Sequence, residues 1–239
     1  MARKKECATG TVNSKRCIKV CKDSPYNVVG AIPLLELTVV NDANDCPCDY
    51  HVGKRYPLKD AYSLCRCGQS KDKPFCDGTH TNVQFNGTET ASQAPYLSRA
   101  EELDGPSLVL KDVPDLCSHV GMCLRAGGTR KLVLRSDDPE ARRIAIEEVA
   151  NCNSGRLVAV DKETGKPIEP EFEPSIAVIE EPLRGYSGPL WVRGGIPVVA
   201  ASGTVYEIRN RVTLCRCGRS SNQPFCDGSH RETKKAVSR

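Results

Sequence analysis

The sequence predicts an α+β protein in which two small β-rich units flank an α+β insert. A block of sixteen residues, CRCGQSKDKPFCDGTH (Cys65–His80), returns as CRCGRSSNQPFCDGSH (Cys215–His230) with eleven identical positions. The repeat extends into the segments before both blocks, which have strand character. A helix signature stands between the repeats. We therefore expect a first unit over residues 1–92, an insert over 93–183 and a second unit over 184–239.

Composition favours several small cores over one large core. The chain has 239 residues, of which 39% are hydrophobic and only 5% aromatic. Cores of this kind usually need metals or pairing for stability. The net charge of +4 comes from Lys and Arg scattered among acids, so no nucleic-acid interface is indicated.

The sequence predicts a cytoplasmic protein without a membrane span. No apolar stretch of the signal-peptide type follows the N-terminal MARKKE. The most apolar segment, Val28–Val40, contains Pro33 and Glu36 and is too short to cross a bilayer. A reducing compartment would keep the fourteen cysteines available for metal binding.

The two β-rich units share their approach to the Cys/His blocks. SPYNVVGAIPL (Ser24–Leu34) aligns with GPLWVRGGIPV (Gly188–Val198), and YPLKDAYSLC (Tyr56–Cys65) aligns with YEIRNRVTLC (Tyr206–Cys215). Each unit is predicted to form a strand, a turn at G-x-I-P, further strand structure and a Cys loop. The first unit has about fourteen additional residues, which include CPCDYH (Cys46–His51).

The insert combines strand and helix signals. The polar segment Thr88–Pro106 suits a linker, and LVLKDV (Leu108–Val113) suits a strand. DPEARRIAIEEVA (Asp138–Ala150) has Asp at the N-cap and Pro at the first helical position, which predicts a helix. LVAV (Leu157–Val160) and SIAVI (Ser175–Ile179) complete the insert as strands.

Each Cys/His block holds a complete set of four metal ligands in the spacing C-x-C-x8-C-x3-H. Zinc could take three Cys and one His as a closed tetrahedral site. A [2Fe–2S] cluster also takes four protein ligands, and His can replace Cys. Spacing alone leaves both open. The Asp-Gly turn and the Thr or Ser before the His predict a short helix near the His.

Both blocks resemble the CDGSH iron–sulfur domain family, which includes mitoNEET-like proteins. Its pattern, C-x-C-x2-(S/T)-x3-P-x-C-D-G-(S/T)-H, is met twice without a mismatch. The resemblance implies two [2Fe–2S] clusters and a β-rich pair of units with exchanged strands, here a pseudo-dimer within one chain. It implies one cluster ligated by Cys65 and Cys67 on one iron and Cys76 and His80 on the other, and a second ligated by Cys215 and Cys217 with Cys226 and His230.

The resemblance implies electron transfer, redox sensing or cluster transfer to a redox protein or a cluster-acceptor protein. Neutral imidazole in place of a thiolate should raise the reduction potential, and its protonation should loosen the cluster. We expect no enzymatic activity, because the sequence has no dinucleotide fingerprint, Walker loop or nucleophile elbow. The alternatives are an electron-relay subunit of a redox enzyme and a zinc-stabilised interaction module.

The insert resembles divergent single-cluster 4Fe–4S ferredoxin-like domains through CSHVGMC (Cys117–Cys123) and NCNSGRL (Asn151–Leu157). Only Cys117, Cys123 and Cys152 match the cysteines of that pattern, and Asn153 stands where Pro is usual. A third cluster would be [3Fe–4S], or [4Fe–4S] with another fourth ligand such as His119. Alternatively, the insert keeps this fold without a cluster.

Six further residues have ligand-type side chains outside these motifs. The spacing C-P-C-x2-H that ends at His51 suits an additional metal site, and the alternative is a set of free thiols. The residues are Cys7, Cys17, Cys21, Cys46, Cys48 and His51.

Overall fold

The structure is a computed structural model that describes residues 15–232. Its strands form three sheets. In chain order they are β1 (Cys17–Val20), β2 (Tyr26–Val29), β3 (Leu34–Asn41), β4 (Pro47–Arg55), β5 (Ala61–Leu64), β6 (Glu101–Asp104), β7 (Leu108–Asp112), β8 (Leu157–Asp161), β9 (Pro167–Ile168), β10 (Ser175–Glu181), β11 (Tyr186–Arg193), β12 (Val198–Val199) and β13 (Arg211–Leu214).

Helical structure is concentrated in the insert. The α-helices are α1 (Thr79–Asn82), α2 (Tyr96–Arg99), α3 (Thr129–Val133) and α4 (Pro139–Ala150). Short 3₁₀ segments cover Pro114–Leu116, Arg125–Gly127, Pro182–Arg184 and Ser229–Glu232. The predicted helix is confirmed with its cap, because the Asp138 carboxylate accepts from the backbone N–H of Glu140. The α+β class is therefore confirmed.

The sequence repeat corresponds to a repeated strand pair. β2 pairs antiparallel with β5, with Tyr26 opposite Leu64. β11 pairs antiparallel with β13, with Leu190 opposite Leu214. Tyr26 and Leu190 are aligned positions of the repeat, so both units carry the same pairing register into their Cys/His blocks.

The two units exchange strands after their G-x-I-P turns. The first sheet has the order β12-β1-β2-β5, and the second has the order β13-β11-β10-β3-β4. β3 of the first unit therefore lies in the second sheet, where it pairs parallel with β10. β12 of the second unit lies in the first sheet and pairs parallel with β1. This exchange joins the units as a pseudo-dimer.

Both sheets contribute side chains to a single hydrophobic core. Ile18, Val28 and Leu64 of the first sheet belong to the same buried cluster as Val192 and Leu214 of the second. Apolar burial contributes about 25 cal/mol per Å². The packing that stabilises one unit therefore depends on the other.

The insert has its own sheet and core. Its sheet has the order β6-β7-β8-β9, and α3 and α4 pack against it around Leu108, Leu110, Leu132 and Val149. Two sequence assignments differ. Glu101–Asp104, which lies in the predicted linker, is a strand of this sheet. Ser175–Glu181, which lies within the predicted insert, pairs with β3 and β11 in the second sheet instead.

The insert packs directly on the second sheet. Val120 and Met122, from the segment between two insert cysteines, join Ala177, Ile179 and Trp191 in a buried cluster on the outer face of that sheet. The insert cysteines are thereby held beside the second unit. Within residues 15–232, no helix has the length and apolar character needed to span a membrane.

Candidate metal centres

The residues around Cys76 of the first Cys/His block pair with the end of β5. The backbone N–H of Cys65 donates to the Pro74 carbonyl at 2.8 Å, and that of Cys76 donates to the Ser63 carbonyl at 3.0 Å. The Cys65 and Cys67 sulfurs lie 3.9 Å apart. The Cys76 sulfur lies 3.3 Å from Nδ1 of His80.

The second block repeats this arrangement from β13. Cys215 and Cys226 are tied to the Pro224 and Thr213 carbonyls at 2.8 and 2.9 Å. The Cys215 and Cys217 sulfurs lie 3.6 Å apart. The Cys226 sulfur lies 3.5 Å from Nδ1 of His230.

Each close pair has the spacing of two ligands on one tetrahedral metal ion. With metal–ligand bonds of about 2.3 Å for sulfur and about 2.0 Å for nitrogen, tetrahedral angles require separations of about 3.8 Å and about 3.5 Å. Two such pairs in each block suit a binuclear group with two protein ligands on each metal. In the part of the chain that the structure describes, no three His, Cys, Asp or Glu side chains surround a point for one ion.

A turn shared by both blocks organises the third cysteine and the histidine. The Asp77 carboxylate accepts from the backbone N–H groups of Lys71 and Thr79 at 2.8 and 3.0 Å. Asp227 accepts from the equivalent groups of Ser221 and Ser229 at the same distances. The predicted short helix begins at the residue before each His, as an α-helix in the first block and as a 3₁₀ segment in the second.

Backbone N–H groups point at the ligand sulfurs. Gly78 and Gly228 donate to the Cys76 and Cys226 sulfurs, both at 3.4 Å, and Gln69 donates to Cys67 at 3.4 Å. Such donors stabilise thiolates and the more negative, reduced state of a bound cluster.

Thiol pKa values show how burial acts on these ligands. Burial raises the pKa of Cys67, Cys76 and Cys226 because it disfavours the thiolate. The hydrogen bond between Cys215 and Cys217 lowers the pKa of Cys215 to about 6 and raises that of Cys217. Metal binding must displace the remaining protons, so it is coupled to pH.

The two ligand loops lie back to back. A methyl group placed on Gly68 would lie 2.5 Å from the Cys217 carbonyl oxygen, and one on Gly218 would lie 2.7 Å from that of Cys67. The buried Tyr26 hydroxyl of the first unit donates to the Cys215 carbonyl at 2.8 Å. The two ligand loops are therefore in direct contact with each other.

Two buried arginines support the loops, and sequence reasoning did not assign them. Arg66 and Arg216 occupy the middle of each C-x-C and are only 1% and 5% exposed. Arg66 donates to the side-chain oxygen of Gln223 in the opposite unit at 3.0 Å, and Arg216 pairs with Glu180 at 2.8 Å. The sequence does contain a signal for these arginines, because the tripeptide CRC is identical in both blocks.

The two centres differ in access to solvent. Cys76 and His80 are partly exposed, whereas Cys226 and His230 are each 2% exposed. His230 Nε2 faces the buried Glu181 carboxylate at 3.6 Å. The first centre is open at its histidine side, and the second is enclosed.

The insert brings its three motif cysteines to one cavity. Cys117, Cys123 and Cys152 all line this cavity, which is partly open to solvent. Arg156 also lines it, and its guanidinium pairs with the buried Asp112 at 2.6 Å. Burial raises the pKa of Cys123 to about 11. Three soft ligands beside a cation suit an anionic iron–sulfur cluster.

His119 is directed toward the second centre. A methyl group on Gly228 would lie 2.3 Å from His119 Cδ2, so the ring packs on that turn. Burial and the charges of Arg231 and Arg156 lower the pKa of His119. The insert therefore covers part of the second Cys/His block.

The remaining cysteines do not join a common site in the described residues. Cys17 is buried in β1, and Cys21 is disulfide-bonded. Cys46, just before β4, and Cys48, near its start, are free thiols, and His51 lies exposed on that strand. Cys7 lies outside the described residues. An additional metal site from this set stays a prediction.

Comparison with known families agrees with the ligand geometry. The family model described as "Iron-binding zinc finger CDGSH type" matches residues 23–81 and 187–231. The family model described as "Divergent 4Fe-4S mono-cluster" matches residues 103–162. No match was found among curated proteins or among solved structures. The matches support iron–sulfur cluster binding.

Proposed function

Because the chain carries two CDGSH segments around a divergent 4Fe–4S segment, we propose that it is a non-enzymatic iron–sulfur protein that exchanges electrons with a partner redox protein. Each Cys/His block would hold a [2Fe–2S] cluster, and the insert would hold a third, [3Fe–4S] or [4Fe–4S], cluster. When bound, these clusters supply one-electron redox chemistry.

The observation that carries the proposal is the division of each ligand set into two close pairs. The sulfur–sulfur separations are 3.9 and 3.6 Å, and the sulfur–nitrogen separations are 3.3 and 3.5 Å. In each block, Nδ1 of the His would be the ligand nitrogen. A zinc-stabilised interaction module is the alternative, and it would require all four donors around one ion.

The protein groups around the ligands favour a raised reduction potential of a bound cluster. One neutral imidazole in each set removes a negative charge relative to four thiolates. The N–H groups of Gly78 and Gly228 donate to ligand sulfurs at 3.4 Å and stabilise added negative charge. Both effects raise the reduction potential above that of an all-cysteine site.

The first centre suits contact with a partner. Its Cys76 and His80 are partly exposed, whereas their counterparts in the second centre are buried. Electron transfer favours a short path to the surface, so the partner should dock at this face. The same exposure favours a second candidate function, which is donation of the first cluster to an acceptor protein.

The cytoplasm is the compartment that this proposal expects, because a reducing environment keeps ligand thiols free. The ligand cysteines of all three centres are free thiols. A role as an electron-relay subunit of a redox enzyme would use the same centres.

Anaerobic reduction with a titrated donor tests the proposal. We expect reversible bleaching of a red-brown protein with one electron taken up by each [2Fe–2S] cluster. A colourless protein that takes up no electrons would contradict it.

For cluster donation, Cys76→Ser should abolish transfer to an apo-ferredoxin, and the matched Cys226→Ser should preserve it. Equal transfer from both variants would refute donation from the first centre.

A further inference from the structure

The insert cavity contains one polar group that the protein itself does not satisfy. The cavity lies between the segments Cys117–Cys123 and Asn151–Leu157, and Asn153 is one of its lining residues. Asn153 is 2% exposed. Its Nδ2 is buried and has no hydrogen-bond partner among the described residues.

The orientation of the Asn153 amide is fixed from its other end. The buried Ser118 hydroxyl donates to Asn153 Oδ1 at 2.6 Å, which leaves the two Nδ2 hydrogens as free donors. Buried polar groups are nearly always paired, so an unpaired amide beside a cavity points to a ligand with acceptor atoms.

Other polar groups of the cavity are already engaged. The Arg156 guanidinium pairs with Asp112 at 2.6 and 2.8 Å. The amide of Asn151 donates to the Cys48 carbonyl at 3.2 Å. The Ser154 hydroxyl contacts the Cys152 sulfur at 3.7 Å. Asn153 Nδ2 differs from these groups because it has no acceptor among the described residues.

We propose that Asn153 Nδ2 donates a hydrogen bond to a sulfur of the cluster held by Cys117, Cys123 and Cys152, and thereby raises its reduction potential. The inference rests on the proposed third cluster. A donor at sulfur stabilises the reduced state, which carries one more negative charge. Proline, the usual residue at this position of the motif, has no such donor.

Potentiometric titration of the full chain, followed by the EPR signal of the insert cluster, tests this role. Asn153→Ala should lower the potential by about 59 mV, the equivalent of a tenfold change in a one-electron equilibrium. Asn153→Asp keeps the Ser118 contact but replaces the donor with an acceptor, so it should lower the potential at least as far. The matched control Asn151→Ala should leave it unchanged, because that amide is already used.

Iron and sulfide content separates the two claims. An insert without iron in the wild-type chain would overturn the third cluster and this inference with it. A loaded cluster with an unshifted potential in Asn153→Ala would overturn the hydrogen bond alone. If the variants lose the cluster, pulsed EPR of the wild type decides: an exchangeable proton coupled to the cluster and carried by an asparagine ¹⁵N supports the proposal, and its absence refutes it.

Discussion

The contact between the insert and the second centre can be tested with a matched pair of glycines. Gly78 and Gly228 occupy the same turn of the two blocks with φ of 89° and 88°. A methyl group on Gly78 would have no atom within 4 Å, whereas one on Gly228 would lie 2.3 Å from His119 Cδ2. Alanine at the two positions therefore meets the same backbone strain but a different neighbour.

The expected costs follow from this difference. Either alanine pays about 1–2 kcal/mol for a left-handed backbone. Gly228→Ala must also displace the His119 ring, and overpacking of this kind costs about 1–3 kcal/mol more. We expect Gly228→Ala to be the more destabilising of the two by that second amount.

Denaturant unfolding of the two glycine variants, of His119→Ala and of the double variant Gly228→Ala/His119→Ala measures the effect. Removal of the ring should relieve most of the excess cost, which is the signature of direct coupling in a double-mutant cycle. Iron release from the second centre to a chelator should also become faster in Gly228→Ala. Equal costs at the two glycines, with no relief from His119→Ala, would refute the contact.

Three further predictions test the centres and their support. His80→Cys and His230→Cys each add a thiolate charge and should lower the potential in a redox titration; unchanged potentials would contradict the role of the imidazole. Burial raises the pKa of Glu148 from 4.5 to about 7, so folding stability should fall as pH rises through that range. Glu148→Gln should remove this pH dependence and raise the free energy of unfolding by on the order of 1–3 kcal/mol above pH 7. Thermal unfolding across the pH range measures it, and an unchanged pH dependence would contradict the prediction. Arg211→Met leaves three insert carbonyls and a carboxylate without their buried partner and should cost about 3–5 kcal/mol. The control is Arg143→Met, because the Arg143 side chain is exposed. Equal denaturant-unfolding midpoints for the two variants would contradict the prediction.

Local patterns predicted the repeated strands and the helix because their signals lie within a few residues. The alignment of Ser24–Leu34 with Gly188–Val198 anticipated two equivalent strand pairs. The Asp-Pro start of α4 identified its cap. The block spacing brought each four-ligand set together as two close pairs.

Non-local pairing could not be obtained in the same way. The middle of Ser175–Glu181, residues 176–179, is apolar on both faces, a pattern that suits any central strand, and nothing within it specifies pairing with β3. Arg66 and Glu148 have charged side chains of the type usually found at the surface, yet both are 1% exposed. Their burial depends on partners far along the chain, such as Gln223 for Arg66.

Iron and acid-labile sulfide per chain, measured on anaerobically purified protein, test the central claim most directly. Two [2Fe–2S] clusters contribute four irons and four sulfides, and a loaded insert raises the iron count to seven or eight. Cys65→Ser and Cys215→Ser should each remove the two irons of one centre. Zinc without sulfide would contradict the assignment of these centres as iron–sulfur sites.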